Sequence, residues 1–300
     1  MLTIHQMRKP RRRSAAIHSE AAMSNIAPPT VSVCIPSYRG AAHIAAAIES
    51  VLQQSYTDFE LIIIDDKSPD ATVAIARRYG DPRIRILENA DNLGPQGNWN
   101  RCLSEARGKY FKLLPQDDLL APSCLARQVD ILEQDHARAI ALVFCARTII
   151  DADDRPLLGR TYSDIDSGMV AAHILIRNCL RRGTNLIGEP GSVMFRKQLA
   201  DAVGDFDASI PYVLDLDYWF RLLLNGDSYY LSEKLASFRV SGGSWSVAIG
   251  ARQSIDYRRF IEKISLDSAF STRKIDIFFG NIMASLNKYL RLAFYRFFLR

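Results

Sequence analysis

The chain has 300 residues and no apolar run approaching ~18 residues without a charge, which excludes a transmembrane helix. The basic cluster Arg8, Lys9, Arg11, Arg12 and Arg13 is not followed by an apolar segment, which argues against a secretory signal. Five cysteines (Cys34, Cys102, Cys124, Cys145 and Cys179) include no C-x-x-C pair. An odd number of cysteines, mostly in apolar segments, reads as buried free thiols in a reducing cytoplasm and speaks against structural zinc. Glycine signatures are missing as well. The first apolar strand, Val31 to Ile35, runs into Pro36-Ser37-Tyr38-Arg39-Gly40, where a dinucleotide-binding turn would need G-x-G-x-x-G. No Gly-rich turn ends in Gly-Lys-Ser/Thr, and Gly94-Pro95-Gln96-Gly97 matches neither spacing. There is no internal repeat and no low-complexity tract.

What is present is the composition of an ordinary globular protein, 48% hydrophobic and 24% charged. The net charge of +5 is unevenly spread. Residues 1–30 hold five basic and one acidic side chain, and residues 273–300 hold six and one, which leaves the middle at about −4. A mildly acidic body argues against nucleic-acid binding, and the basic ends suit adhesion to a surface. Residues 1–29 lack apolar periodicity, end in Pro28-Pro29 and read as a disordered basic leader.

From there strands and short helices alternate. Val31 to Ile35, Phe59 to Ile64, Ile84 to Leu87 and Tyr110 to Leu114 read as strands. Ala41 to Gln54, Ala71 to Tyr79 and Asn98 to Ala106 read as helices. That rhythm predicts right-handed βαβ units on a parallel sheet. A helix is expected over Leu119 to Glu133 and a strand over Ile140 to Ile150. The rhythm then changes. Helices are expected over Ser167 to Arg182 and Leu214 to Leu224, strands at Val193 to Phe195, Tyr229 to Leu231 and Ala236 to Val240, and a wholly helical segment from about residue 251.

Two strands end in adjacent carboxylates. Asp65 and Asp66 close the run Leu61 to Ile64, and Asp117 and Asp118 follow Tyr110 to Leu114. Ligands of open parallel sheets bind just outside the carboxyl ends of the strands. Carboxylates there can hold a hard cation, and the cation a diphosphate. Asp is also favoured in turns and helix N-caps, which is the plainer reading of either pair alone. Tyr38, beside the first strand end, offers a face on which a nucleobase can stack, and Asp66 could accept a hydrogen bond from a base N–H.

Three runs carry a resemblance: VSVCIPSYRG from Val31, SVLQQSYTDFELIIIDDKSPD from Ser50 and NLGPQGNWNRCLSEARGKYFKLLPQDD from Asn92. With DLDYWFRLLLNG from Asp215 they resemble, in order, the family 2 glycosyltransferases over roughly residues 31–245. The resemblance implies an α/β fold of the GT-A type, a Rossmann-like and mostly parallel central sheet flanked by helices. It divides the chain into the leader, a glycosyltransferase domain over 30–248 and a C-terminal helical extension over 249–300. Within the domain, 30–120 is the nucleotide half and 121–248 the acceptor and catalytic half.

The roles implied by the resemblance are these. Pro36 and Tyr38 shape the nucleobase pocket, Asp66 reads the base and Asp65 supports that loop. Asn92, Gly94 and Asn100 line the nucleotide-sugar side. Asp117 contacts ribose or sugar, and Asp118, with Asp117, reaches a Mg²⁺ or Mn²⁺ ion. Asp215 falls at the general-base position, and Arg239 to Trp245 is a loop that closes over the diphosphate. Two positions depart from the family pattern. Pro115 stands where D-x-D-D has its first acid, and Ser241 where many relatives have His, so Arg239, Ser244 or water would have to serve the diphosphate.

Asp215 and Asp217 both lie on the expected helix, but residues two apart point about 200° apart, so only one can face a cleft. Trp219, four residues from Asp215, lies near its face. For Asp217 the plainer reading is a helix N-terminal charge. Glu189, in the polar loop Asn185 to Met194, either touches donor or acceptor or belongs to an ordinary turn. The basic, aromatic tail KYLRLAFYRFFLR from Lys288 either rests on an anionic membrane or packs on the body or a partner.

The function expected is an inverting, hexosyl-type transfer from a nucleoside-diphosphate sugar to a glycan or lipid-linked acceptor. It would serve surface polysaccharide biosynthesis, in the cytoplasm at the inner face of a membrane, with no nucleic-acid partner. The alternatives are a catalytically silent nucleotide-sugar-binding or scaffold protein and a nucleotide-sugar hydrolase.

Overall fold

The computed structural model describes residues 27–162, 165–240 and 252–298. Most of the basic leader, and Ser241, Ser244 and Trp245 of the expected diphosphate loop, lie outside the described residues.

The first half is built as the alternation requires. Strands β1 (Val31–Ser37), β2 (Phe59–Asp65), β3 (Ile84–Glu88) and β4 (Tyr110–Leu113) are joined by helices α1 (Ile44–Leu52), α2 (Thr72–Ala76) and α3 (Gly94–Glu105). All pairings among these strands are parallel, in the order β3-β2-β1-β4. Every residue of β1 and β2 is buried, as continuous apolar runs covered on both faces should be. In α1, Ile44, Ala47, Ile48 and Val51 recur at helical spacing and form the buried face.

Beyond β4 the sheet is mixed. It continues through β9 (Val193–Arg196), β6 (Ile140–Ile150), β10 (Asp227–Arg239) and the two-residue β5 (Leu119–Leu120). β9 is antiparallel to both neighbours, while β6 and β10 run parallel. β7 (Pro156–Arg160) pairs with β6, and β8 (Gly168–Val170) with β10, both antiparallel. Helices α4 (Cys124–Gln134), α5 (Ala172–Arg182), α6 (Lys197–Val203), α7 (Leu214–Leu223), α8 (Gln253–Leu266) and α9 (Lys274–Phe298) complete the chain. All five cysteines are buried and free.

Three expected elements differ, each because strand pairing overrides local pattern. Leu119 and Leu120 pair with β10, so the helix expected from Leu119 begins at Cys124, after Pro122. Gly168 to Val170 form a strand ahead of α5. The two short strands expected near the end of the domain are one long strand, β10, whose register shifts absorb Ser232, Glu233 and Leu235.

The helical extension is seated on the domain. α9 packs against α5 and α8. Two glycines permit contact at backbone distance. A Cβ on Gly183 would lie 2.4 Å from the Ala284 nitrogen, and one on Gly280 would lie 2.4 Å from the Leu180 oxygen. Gly183 also ends α5 in the left-handed region, φ 60°. α9 therefore has two apolar faces. Ala284 is buried against the domain, while Ile275, Phe278, Ile282, Leu286, Tyr289 and Leu290 are exposed. Among the described residues no helix is long and apolar enough to cross a membrane.

Candidate active site at the carboxyl edge of the sheet

The parallel strands β1, β2 and β4 deliver three turns to one edge. Tyr38 follows β1 and is 41% exposed, its ring free to be stacked upon. Arg39 lies 5.3 Å from the Tyr38 ring centroid. Gln116, from the β4 turn, closes the gap between strands. Its Nε2 donates to the Tyr38 carbonyl and its Oε1 accepts from the Tyr38 N–H, both at 2.9 Å. Pro36 is buried within β1, beneath this turn.

Asp65 and Asp66 are both 2% exposed and are supplied with donors. Asp65 accepts from Ser68 N–H at 2.7 Å and from Ser37 Oγ at 3.4 Å. Asp66 accepts from Asn89 Nδ2 at 2.6 Å, Leu93 N–H at 2.8 Å and Gly94 N–H at 2.9 Å. Gly94 is the first residue of α3, so Asp66 satisfies orphan donors at a helix start and ties the β3–α3 loop to β2. Asn92 adds a bond from its Nδ2 to the Asp66 carbonyl at 2.9 Å. The base-reading carboxylate expected at Asp66 is thus turned into the loop, and only Oδ2 keeps spare acceptor capacity.

Asn100 requires a correction. It was expected on the nucleotide-sugar side, but its amide is spent on a distant backbone. Oδ1 accepts from Phe206 N–H at 2.8 Å, and Nδ2 donates to the Phe206 carbonyl at 3.2 Å.

Arg239 also departs from its expected place. It ends β10, is 1% exposed and does not lie free over a diphosphate. Its Nε donates to the Asp117 carbonyl at 2.8 Å and its Nη1 to the Asp151 carbonyl at 2.8 Å, and its Nη2 pairs with Asp154. Each nitrogen of the guanidinium is engaged by the protein, so it fixes the β4 turn and keeps a single N–H, on Nη2, beyond these bonds. Its own N–H donates to Asp118 Oδ1 at 2.9 Å.

The pair after β4 is placed unlike the pair after β2. Asp118 is 1% exposed, and its carboxyl is held well above the usual range, first by burial and then by the neighbouring Asp117 charge. Asp117 is raised by burial, while His43 and Arg239 act the other way. Burial lowers the His43 pKa, as does Arg239. Two adjacent desolvated carboxylates resist ionising together, and a cation reverses that penalty. Among the described residues no group of three or more His, Cys, Asp or Glu gathers as a metal cage. A site that leaves most positions to phosphate and water, as Mg²⁺ prefers, needs only such a pair.

Across the edge stands α7. Asp215, in its first turn, accepts from Asn185 Nδ2 at 3.0 Å and from Leu216 N–H at 2.7 Å. Burial and the negative charge of Glu189 push its pKa up to about 7. Asp217 points elsewhere, as the helix geometry demands. It is 3% exposed and paired with Lys263 at 2.7 Å and Arg221 at 3.0 Å. Trp219 Nε1 donates to the Gly188 carbonyl at 3.2 Å, and Asn185 brackets the same glycine, so Asp215 and Trp219 meet one loop.

That loop carries Glu189 between the two sides. The Glu189 charge raises both Asp118 and Asp215, and a Cβ on Gly191 would lie 3.8 Å from Asp118 Oδ2. Gly188 has φ 116°, and a Cβ there would come within 2.3 Å of Ser192 Oγ and 3.0 Å of the Arg147 guanidinium carbon. The glycine lets Arg147, buried at 4% exposure on β6, reach Glu189 as an ion pair. Glu189 thus stands near enough to Asp118 and Asp215 to act on both, and Asp66 lies at the end of β2, two strands from β4 in the same sheet. Gln116, His43 and Arg147 were not singled out in the sequence. Of these only Arg147 left a signal, as a lone cation inside the apolar strand VFCARTII.

Comparison with known proteins identifies the family and the fold. The glycosyl transferase family 2 model matches residues 32–201. A Mycobacterium tuberculosis protein, MT1568, is 31% identical over 252 residues, covering 81% of this chain and 78% of its own. A Rickettsia typhi protein described as a glycosyltransferase, RT0329, is 32% identical over 219 residues, covering 71% of this chain and 64% of its own length. The putative teichuronic acid biosynthesis glycosyltransferase TuaG of Bacillus subtilis is 29% identical over 231 residues, covering 73% and 84%. Among solved structures, TarS of S. aureus in complex with UDP-GlcNAc superposes with TM-score 0.65 at 17% identity, covering 87% of this chain and 73% of that one. The mannosyltransferase PcManGT of Pyrobaculum calidifontis, in complex with GDP-Man and Mn²⁺, does so with TM-score 0.59 at 17% identity, covering 93% and 81%.

Proposed function

Because this chain belongs to glycosyl transferase family 2 and has the GT-A fold, we propose that it is an inverting, metal-dependent transferase of a hexosyl unit. The donor is a nucleoside-diphosphate sugar, and the acceptor a hydroxyl of a glycan or lipid-linked saccharide in surface polysaccharide assembly. The observation that carries this reading is the pairing, across Glu189, of the desolvated Asp118 with Asp215, whose pKa is pushed up to about 7. The complexes of TarS with UDP-GlcNAc and of PcManGT with GDP-Man and Mn²⁺ support the donor class and the cation, and the name of TuaG supports the pathway class.

In this reading the nucleotide lies along the ends of β1, β2 and β4. Tyr38 stacks on the base, and Pro36 and Gln116 fix the turn that presents it. Asp65, Asp66, Asn92 and Gly94 hold the β3–α3 loop as the wall of the site. Asp117 and Asp118 would hold Mg²⁺ or Mn²⁺, which, when bound, stabilises the charge that develops on the departing diphosphate. Asp215 takes the proton of the acceptor hydroxyl, and burial tunes it to do so near neutrality. A single base opposite the leaving group gives one displacement and inversion. The exposed stripe of α9, beside Arg273, Lys274 and Lys288, supports peripheral contact with an anionic membrane face, where a lipid-linked acceptor would lie.

The test is product detection by mass spectrometry with a panel of nucleotide sugars and crude lipid extract, with Mn²⁺ or with EDTA. Mn²⁺-dependent glycosylated lipid or glycan is expected. Nucleotide binding with no product from any donor would favour the silent binding protein. Free sugar released without acceptor would favour a hydrolase.

A further inference from the structure

Three arginines, Arg147, Arg160 and Arg291, gather near Glu189, and the reaction as described uses none of them. Arg147 and Arg160 are direct cross-strand partners in the β6–β7 pairing, on the same face of the sheet. Like charges placed opposite one another destabilise a strand pair. Arg291 comes from α9 and meets Tyr212, whose hydroxyl accepts a hydrogen bond from Arg291 Nη1, with the guanidinium 5.4 Å from the ring centroid. Tyr212 lies in the turn Pro211–Val213 that leads directly into α7 and Asp215. Burial lowers the Arg160 pKa, and the charges of Arg147 and Arg291 lower it further, against Glu189. The Arg160 side chain is nevertheless exposed to solvent, where a dissolved anion can reach it.

Arg147 pairs with Glu189 and acts on Asp215, and Arg160 feels Glu189 together with Arg147 and Arg291, so three guanidinium groups gather about one carboxylate, an excess of positive charge. The hydrogen-bond inventory points the same way. Arg291 Nε and Nη2 are buried without an acceptor among the described residues. That edge of the guanidinium is the fork that pairs with a carboxylate or phosphate through two parallel hydrogen bonds. Leaving it buried and unpaired is costly, and an oxyanion seated there removes the cost. The cluster lies on the Asp215 side. Arg147 acts on Asp215, whereas the charges that act on Asp118 are Asp117, Glu189 and Arg239.

We infer that Arg160 and Arg291, backed by Arg147, form a subsite for an anionic group on the acceptor, a phosphate or a carboxylate next to the hydroxyl that is glycosylated. This rests on the glycosyltransferase reading for the word acceptor, but the anion site itself does not. Arg160 gives the entrance, and the free edge of Arg291 gives the bidentate seat.

The experiment is calorimetric titration of the full chain with octyl phosphate, methyl β-glucuronide and neutral octyl glucoside, each with and without UDP or GDP and Mn²⁺. One of the two anions should bind, the neutral glycoside should not, and the binding should weaken as salt is raised. A preference for the phosphate assigns the group to a lipid carrier, and a preference for the glucuronide assigns it to the glycan. Arg160→Gln, on an exposed edge strand, and Arg291→Met should each weaken the anion by on the order of tenfold while leaving nucleotide affinity unchanged. Anions that bind no better than the neutral glycoside would overturn the inference. So would variants that weaken nucleotide as much as anion, since the cluster would then belong to the donor site. Absence of nucleotide binding in the unaltered protein would count against the glycosyltransferase reading and leave the anion titration to stand by itself.

Discussion

The ends of β2 and β4 carry the same pair of acidic residues in opposite circumstances. At Asp65 and Asp66 the carboxylate oxygens receive five hydrogen bonds from backbone and side-chain donors. At Asp118 the acceptor bond comes from Arg239 N–H, and burial beside Asp117 pushes the carboxyl up. The first pair organises a loop, and the second is poised to be relieved by a ligand. The contrast repeats on α7, where Asp217 is neutralised by Lys263 and Arg221, while Asp215, two residues away, is raised. Proximity in sequence says little about a carboxylate's task. The donors the fold supplies to it decide.

The comparison breaks most sharply at α7. Asp215→Asn should lower the rate of transfer by about 10²–10⁴-fold with nucleotide affinity unchanged, because a positioned base contributes that much. The proposed function makes the ionised form of Asp215 the active one, so kcat/KM of the unaltered protein should rise with pH through about 7 and level off above it. Glu189→Gln removes a charge that raises Asp215 and should move that limb to lower pH. The linked effect on stability has the opposite sense. The folded protein keeps this proton up to about 7 while the unfolded chain loses it near the ordinary aspartate value of 3.8, so the Asp215 contribution declines as pH climbs through that window. Asp215→Asn should remove the decline, and thermal melts of both proteins across the window would measure it.

Asp217→Ala should do the reverse of Asp215→Asn. It removes the shared carboxylate of two partly exposed cations that keep other partners, Arg221 on the Val203 and Asp205 carbonyls and Lys263 on Asp207, and should cost about 1–3 kcal/mol of stability, read by denaturant unfolding, with little change in the pH profile. Equal kinetic effects from the two substitutions would dissolve the distinction between them.

The strand-end pairs separate by a smaller margin. Asp118→Asn relieves a like-charge contact, so stability should hold or rise, while the Mn²⁺-dependent part of nucleotide affinity falls on the order of tenfold, about 1.4 kcal/mol. Asp66→Asn sets an amide against the Leu93 and Gly94 N–H groups and should cost about 1–3 kcal/mol of stability. Calorimetry with and without Mn²⁺, beside thermal melts, checks both.

Much of this site was legible in the sequence because its parts are local. β1, β2 and β4 announce themselves as apolar runs, and their acidic ends follow at once. The choice of Asp215 over Asp217 needed only the helical period and the family resemblance. What escaped depends on residues far apart in the chain. Asn100 is spent on Phe206, 106 residues on, and Arg239 on a turn 85 to 88 residues earlier. No local pattern reveals such partners. The arginine cluster escaped for the same reason, since Arg147 and Arg160 meet by strand register and Arg291 arrives from the last helix.

The glycine contact between α5 and α9 has a mechanical consequence. Main chain rests on main chain at Gly183 and Gly280, and Asn287 and the Arg177–Asp276 pair pin the same joint, so the last helix has little room to swivel. The outward stripe of that helix and the arginine it sends to Tyr212 thus keep a fixed bearing. Whatever grips the stripe sets the tilt at which the entrance beside Asp215 is presented.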